Sequence, residues 1–148
     1  MKKVVGVIIT LLLIVLVGIQ FIPTNQNPYL PTDSNDFIIL NNPPVKIGKM
    51  LKTSCYNCHS DQINYPWYSK LQPAAWLLEK HIREGKEELN LSQYGSLSGR
   101  MEKMKLESMI KQIEQKKMPI SSYTLIHQDA ILSDSDRKEL VAYLQNLQ

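Results

Sequence analysis

The 148-residue chain has little cysteine: Cys55 and Cys58 are its only two. A disulfide between them would close a loop too small to staple distant parts of a fold, so the pair reads as chemical rather than architectural. No segment alternates apolar and polar residues with period two, which excludes a fold built on sheets. Arginine is sparse and no basic-aromatic stripe is present, so the formal net charge of +3 is a solvated helical surface and nucleic-acid binding is excluded. Internal repeats and low-complexity tracts are also missing.

What is present begins with one long hydrophobic run. Val4 to Ile22 holds no charged residue and follows Lys2-Lys3. Its length matches a bilayer core at about 1.5 Å per residue. The run ends Val17-Gly18-Ile19-Gln20-Phe21-Ile22-Pro23 without a small-x-small cleavage site, and no cysteine follows it. A retained signal anchor over residues 1–23 is therefore expected rather than a cleaved signal or a lipoprotein. The lysines place its N-terminal end in the cytoplasm. The expected location is the bacterial inner membrane, single-pass, with the following domain on the periplasmic side.

Residues 24–43 read as an extended tether, because Pro28, Pro31 and Pro43 stand among Asn, Asp, Ser and Thr. Within it, Phe37-Ile38-Ile39-Leu40 is a short apolar patch that suits either a small strand or a segment packed along the domain. Residues 44–148 form the domain proper, and its pattern is helical. Pro44 suits a first helical turn, and Ile47, Met50, Leu51 and Cys55 then recur at helical spacing. A second helix starts at Pro73, carries Ala74, Leu77, Leu78, His81 and Ile82 on one face, and stops at Gly85. A third follows Gly99, with a stripe of Leu106, Met109, Ile110 and Ile113 that Met118-Pro119 terminates. Ser133-Asp134-Ser135-Asp136 resembles a capping box opening a last helix with Leu140, Val141, Leu144 and Leu147. The expected fold is all-α: a transmembrane helix and a small domain of about four helices.

The informative string is Cys55-Tyr56-Asn57-Cys58-His59. C-x-x-C-H is the attachment signature of c-type haem. Two thiols three residues apart at a helix end point the same way and can reach two vinyl groups on one porphyrin edge. The adjoining imidazole then meets the iron, making His59 the proximal ligand. Two rival chemistries use the same residues. A dithiol redox pair belongs in a βαβ pattern, which is missing. A zinc site needs four ligands; Cys55, Cys58 and two of His59, His81 and His127 could supply them, but no second ligand pair exists.

For the sixth iron position Met118 stands out, since Pro119 frees its backbone from helical pairing in the loop before the last helix. Met with His raises the reduction potential relative to harder ligand pairs. His127 is the alternative, while His81, Met50, Met101, Met104 and Met109 fit core or pocket packing better. Trp67 and Trp76 are candidate pocket walls, because an apolar disc needs aromatic or aliphatic cover.

The string Cys55-Tyr56-Asn57-Cys58-His59-Ser60, then Tyr65-Pro66-Trp67-Tyr68-Ser69, Pro73-Ala74-Ala75-Trp76-Leu77, Arg83-Glu84-Gly85, Leu89-Asn90-Leu91-Ser92 and Met118-Pro119 with Tyr123 to His127, resembles the bacterial haem-binding domain family. These are small c-type haem proteins, often membrane-anchored. The resemblance runs from about Pro44 to Leu147 and implies one covalent haem c at Cys55 and Cys58 with His59 on the iron. It also suggests Met118 as distal ligand, by similarity to the Met-Pro motif of cytochrome c, although Ile120 stands where many relatives have a second proline. The last segment is similar to the terminal helix of class I cytochrome c.

The expected function is electron transfer by a membrane-anchored mono-haem cytochrome working with redox partner proteins, not an enzyme. A peroxidase-type haem enzyme would need an open sixth position and an acid-base group from His127 or His81. A redox or gas sensor would need a partner to carry its output.

Overall fold

The computed structural model describes residues 1–148, and every regular element in it is helical. Helix α1 spans Lys2–Gly18 and continues as a 3₁₀ turn over Ile19–Phe21. Together they form one helix of 20 residues, long and apolar enough to cross a membrane, with no part of it buried against the protein.

The segment between this helix and Pro44 is irregular over most of its length, but it is not free. Gln20 Nε2 donates to the Gln72 carbonyl and the Gln72 N–H returns to Gln20 Oε1, both at 3.0 Å. Gln26 Nε2 donates to Ser69 Oγ at 3.0 Å, the Asn27 N–H to Tyr65 Oη at 2.9 Å, and Gln62 Nε2 to Thr32 Oγ1 at 2.8 Å. The Leu30 N–H donates to the Asp61 carbonyl at 3.2 Å. The segment thus lies along the domain as a hydrogen-bonded strap.

The apolar patch at its end is helix α2, Phe37–Asn41, capped by Asp36, whose carboxylate accepts the Ile38 N–H at 2.9 Å. Phe37 is fully buried and meets Tyr94 edge-on, with ring centroids 4.9 Å apart. Tyr56 Oη donates to Asp36 Oδ1 at 2.8 Å. Asp36 and Phe37 are thus packed into the domain core, while Ile39 and Leu40 of the same helix stay exposed.

Helix α3, Val45–Leu51, opens after Pro44 as the proline implies. It then widens into a π-helical turn over Lys52–Tyr56 and returns to α geometry in α4, Asn57–His59. Such wide turns concentrate at functional sites because they re-aim side chains without ending the helix. Here the widened turn carries Cys55, and α4 carries Cys58 and His59.

Helix α5, Ala74–Glu88, runs through Gly85 instead of stopping there, because Lys86-Glu87-Glu88 are good helix formers and Gly85 is needed for close packing. Its buried side is Ala75, Leu78 and Ile82; Leu77 faces out. Residues expected as a loop hold a 3₁₀ stretch over Leu91–Ser96. Helix α6, Gly99–Glu114, buries Leu106, Ile110 and Ile113 as its stripe demands. It ends five residues before Pro119, at a reversal where Lys116 takes a φ of 56°. Helix α7, Ser121–Thr124, interrupts the next loop. Helix α8, Asp134–Gln145, starts at the expected capping box: Ser133 Oγ accepts the Asp136 N–H at 3.0 Å and Asp136 accepts the Ser133 N–H at 3.3 Å.

Two apolar clusters result. The larger joins α2, α3, α6 and α8 through Phe37, Leu51, Leu106, Ile113, Leu140 and Leu144. The smaller joins α5 to the preceding turn through Ile63, Tyr68, Leu78 and Ile82, and Cys58 packs against it. The two cysteines lie at the seam between them.

Candidate functional site

A two-lobed cleft opens at that seam. One lobe, about 170 Å³, is lined by Cys55, His59, Leu89, Leu91, Met109 and Ile113 among others. The other, about 180 Å³, is lined by Cys58, His59, His81, Gly85, Ile120 and Tyr123 among others. His59 and Met118 border both lobes. Residues 55, 58 and 59 arrive from one helical stretch, and Met118 from the separate turn after α6.

The imidazole of His59 is oriented by backbone. Its Nδ1 stands 3.0 Å from the Leu89 carbonyl oxygen. A carbonyl only accepts, so Nδ1 carries the proton and Nε2 keeps its lone pair for a metal. Leu89 ends α5 in extended geometry, and Asn90 beside it is fastened: its Nδ2 lies 3.2 Å from both carboxylate oxygens of Asp61. Lys86 pairs with the same carboxylate. This net ties the carbonyl that orients His59 back to the chain two residues beyond His59 itself.

Both thiols are free. Burial pushes the Cys55 thiol up to about 12, with neighbouring Cys58 adding to it, and burial pushes Cys58 up to about 11. Reactive dithiols depend on the opposite shift, since the thiolate is the attacking species. The environment therefore argues against a redox dithiol. No group of three or more His, Cys, Asp or Glu side chains has metal-holding geometry, so the zinc arrangement does not assemble.

The Met118 turn is held from α8. Arg137 Nη1 donates to the Met118 carbonyl at 2.8 Å and to the Ile113 carbonyl at 3.2 Å. One guanidinium thus closes the end of α6 and pins the backbone that carries the thioether. Met109 borders only the first lobe, Met50 is in the core, and Met101 and Met104 are exposed.

His127 does not border the cleft. Its Nε2 is 2.8 Å from Tyr68 Oη, and its ring stacks on Tyr123 at 4.2 Å. Tyr123 Oη in turn accepts from Asn57 Nδ2 at 2.9 Å, inside the C-x-x-C-H string. His127 is therefore a structural link. His81 does reach the second lobe.

The two tryptophans expected as walls are not on the cleft. Trp67 is 78% exposed and Trp76 is 38% exposed, and neither borders either lobe. The apolar part of the walls comes instead from Leu89, Leu91, Met109, Ile113, Ile120 and Tyr123, while Glu84, Glu88, Lys105 and Gln112 form a polar rim. Trp76 follows buried Ala75 on α5 and points away from its packed side.

This donor set fits a haem: a neutral imidazole nitrogen and a thioether on one cleft, two protonated thiols at its edge, and walls that are apolar in part and polar at the rim. The sequence reading makes Gly85 a helix stop, where the structure uses it to pack α5 on Cys58, and it has no place for the Leu89 carbonyl or Arg137. Only Gly85 left a signal, as an isolated glycine inside an otherwise helical pattern.

Comparison with known proteins agrees with this geometry. The family described as haem-binding domain matches residues 14–146. No match was found among curated proteins or among solved structures.

Proposed function

The chain belongs to the haem-binding domain family, and from that premise we propose that it is a membrane-anchored mono-haem c-type cytochrome that transfers electrons. In this reading Cys55 and Cys58 hold the haem through thioether bonds, His59 ligates the iron through Nε2, and Met118 supplies the sixth ligand. The haem would supply a one-electron iron couple. The chain's own residues would set its character. The Leu89 carbonyl would fix the His59 tautomer and raise its basicity, Arg137 would steady the backbone that carries Met118, and Leu89, Leu91, Met109, Ile113 and Ile120 would supply the apolar cover.

The observation that carries the proposal is the meeting of Cys55, Cys58, His59 and Met118 on one cleft. A filled sixth position suits electron transfer better than turnover. A peroxidase-type reading draws on His81 alone, since His127 is engaged elsewhere. The helix Lys2–Phe21 would hold the protein in the bacterial inner membrane, with Lys2 and Lys3 on the cytoplasmic side and the domain in the periplasm.

Expression in a host competent for cytochrome c maturation tests the assignment. The expected product keeps its haem on a denaturing gel, and replacing both Cys55 and Cys58 with Ser removes it. The ferric protein should show the weak far-red absorption of Met ligation, which Met118→Ala abolishes while the haem stays attached. A colourless, iron-free product overturns the assignment. A five-coordinate ferric protein that consumes peroxide replaces the carrier by an enzyme.

A further inference from the structure

Helix Lys2–Phe21 has 20 residues and so is about 30 Å long, the thickness of a bilayer core. Gln20 consequently lies where hydrocarbon gives way to headgroups. Gln20 is hydrogen-bonded in both directions to the backbone of Gln72, and Gln72 Nε2 reaches the Ile22 carbonyl at 3.4 Å. Whatever surrounds Gln72 is therefore held at the level of the membrane surface.

What surrounds it is apolar and uncovered. Leu71, Trp76 and Leu77 are exposed, as is Trp67 in the turn just before. On α5 the buried residues Ala75, Leu78 and Ile82 define one side. At about 100° per residue, Trp76 and Leu77 fall on the other. They occupy only its first turn, next to Gln72; Lys80, Glu84 and Glu87 follow on the later turns. The gradient from apolar to charged thus runs along α5 away from the point where the anchor joins. Lys70 and Lys80 adjoin the patch in sequence; Lys80 has an exposed i,i+4 pair with Glu84 at 3.8 Å, and the long stems of both let the ammonium groups reach lipid phosphates. Indole rings favour this layer, where one edge is wet and the other apolar.

We propose that the face carrying Trp67, Leu71, Trp76 and Leu77 is seated in the interfacial layer of the same bilayer that α1 crosses. The inference rests on the membrane-anchor reading above. The strap of Gln20, Gln26 and Asn27 fixes the seat, and the inner side of the seated segment packs Tyr68 and Leu78 toward Cys58. The haem-attachment segment then stands about one helix diameter, roughly 10 Å, above the membrane.

The chain has only two tryptophans, both on this face and neither in the anchor, so tryptophan emission, excited at wavelengths beyond tyrosine absorption, reports on the seat alone. The test uses the full-length holoprotein in phosphatidylcholine vesicles brominated high on the acyl chain, against the same lipid unbrominated. The ratio of the two emissions cancels the constant quenching by haem. Trp67→Phe and Trp76→Phe leave one reporter each, and alkaline carbonate extraction reads the anchor separately. The expected result is retention through carbonate with emission about twofold lower or more for each reporter, as befits indoles in the interface. Retention with equal emission overturns the seat and leaves the anchor standing. Release with equal emission overturns both, and release with quenching supports the seat while overturning the anchor.

Discussion

Gly85 on α5 faces the backbone of Cys58 so closely that a Cβ there would lie 2.8 Å from the Cys58 carbonyl oxygen. That obstacle is main chain and cannot swing aside. The missing side chain lets α5 lie directly against the segment that carries both cysteines and His59.

Gly85→Ala is therefore expected to destabilise the protein. In an open helix the change gains up to about 1 kcal/mol of propensity. Here overpacking against a backbone carbonyl costs about 1–3 kcal/mol, and the displaced Cys58 lowers haem incorporation. Thermal melting together with the haem-to-protein ratio checks both effects. A variant more stable than the parent with full haem content would contradict the packing described.

Asn90→Ala removes the two hydrogen bonds to Asp61 and loosens the Leu89 carbonyl from His59. Loss of charge-assisted bonds predicts a stability drop of about 1.5–3 kcal/mol. A weaker acceptor at Nδ1 makes the imidazole less basic and disfavours the ferric state. The reduction potential should rise by up to about 60 mV, a tenfold change for one electron. A potentiometric titration reads this directly, and a merely structural role for Asn90 would leave it unmoved.

Arg137→Ala frees the turn that presents Met118. The far-red band should weaken and vanish at a lower temperature than in the parent, while haem remains bound through the thioether bonds. Arg137→Lys keeps the charge and enough donors for both carbonyls but lacks the rigid planar placement of the guanidinium, so it should restore the band only in part. Optical spectra recorded against temperature decide the matter.

Phe37→Ala should cost about 3–5 kcal/mol, the range for a large aromatic removed from a packed core. Its ring is fully buried edge-on to Tyr94. A denaturant midpoint unchanged by the substitution would contradict the packing of Phe37 into the core.

The parts of this molecule that were legible in sequence are local ones. Cys55, Cys58 and His59 adjoin each other, so their convergence needs only a helix end. The Ser133 capping box spans one turn, and the stripe of Leu106, Ile110 and Ile113 repeats at helical period. The unread parts act across distance or through groups without residue identity. The Leu89 carbonyl is a backbone atom 30 residues from His59, and any residue could have provided it. Arg137 meets Met118 from 19 residues away. The strap is built from amide side chains on main-chain carbonyls, which leave no periodicity. Trp67 and Trp76 carry no sign in the sequence of which way they face, because an aromatic ring suits a pocket wall and an exposed turn alike.

The strap has a consequence for how encounters are made. A free chain of 20 residues would let its cargo roam over about 25 Å. Fastened at Gln20, Gln26, Asn27 and Leu30, this domain is instead a fixed station. On the proposed reading its range would be the two-dimensional drift of the anchor, so a soluble counterpart would have to come down to it in the correct orientation, while one sharing the bilayer could arrive by sideways travel alone.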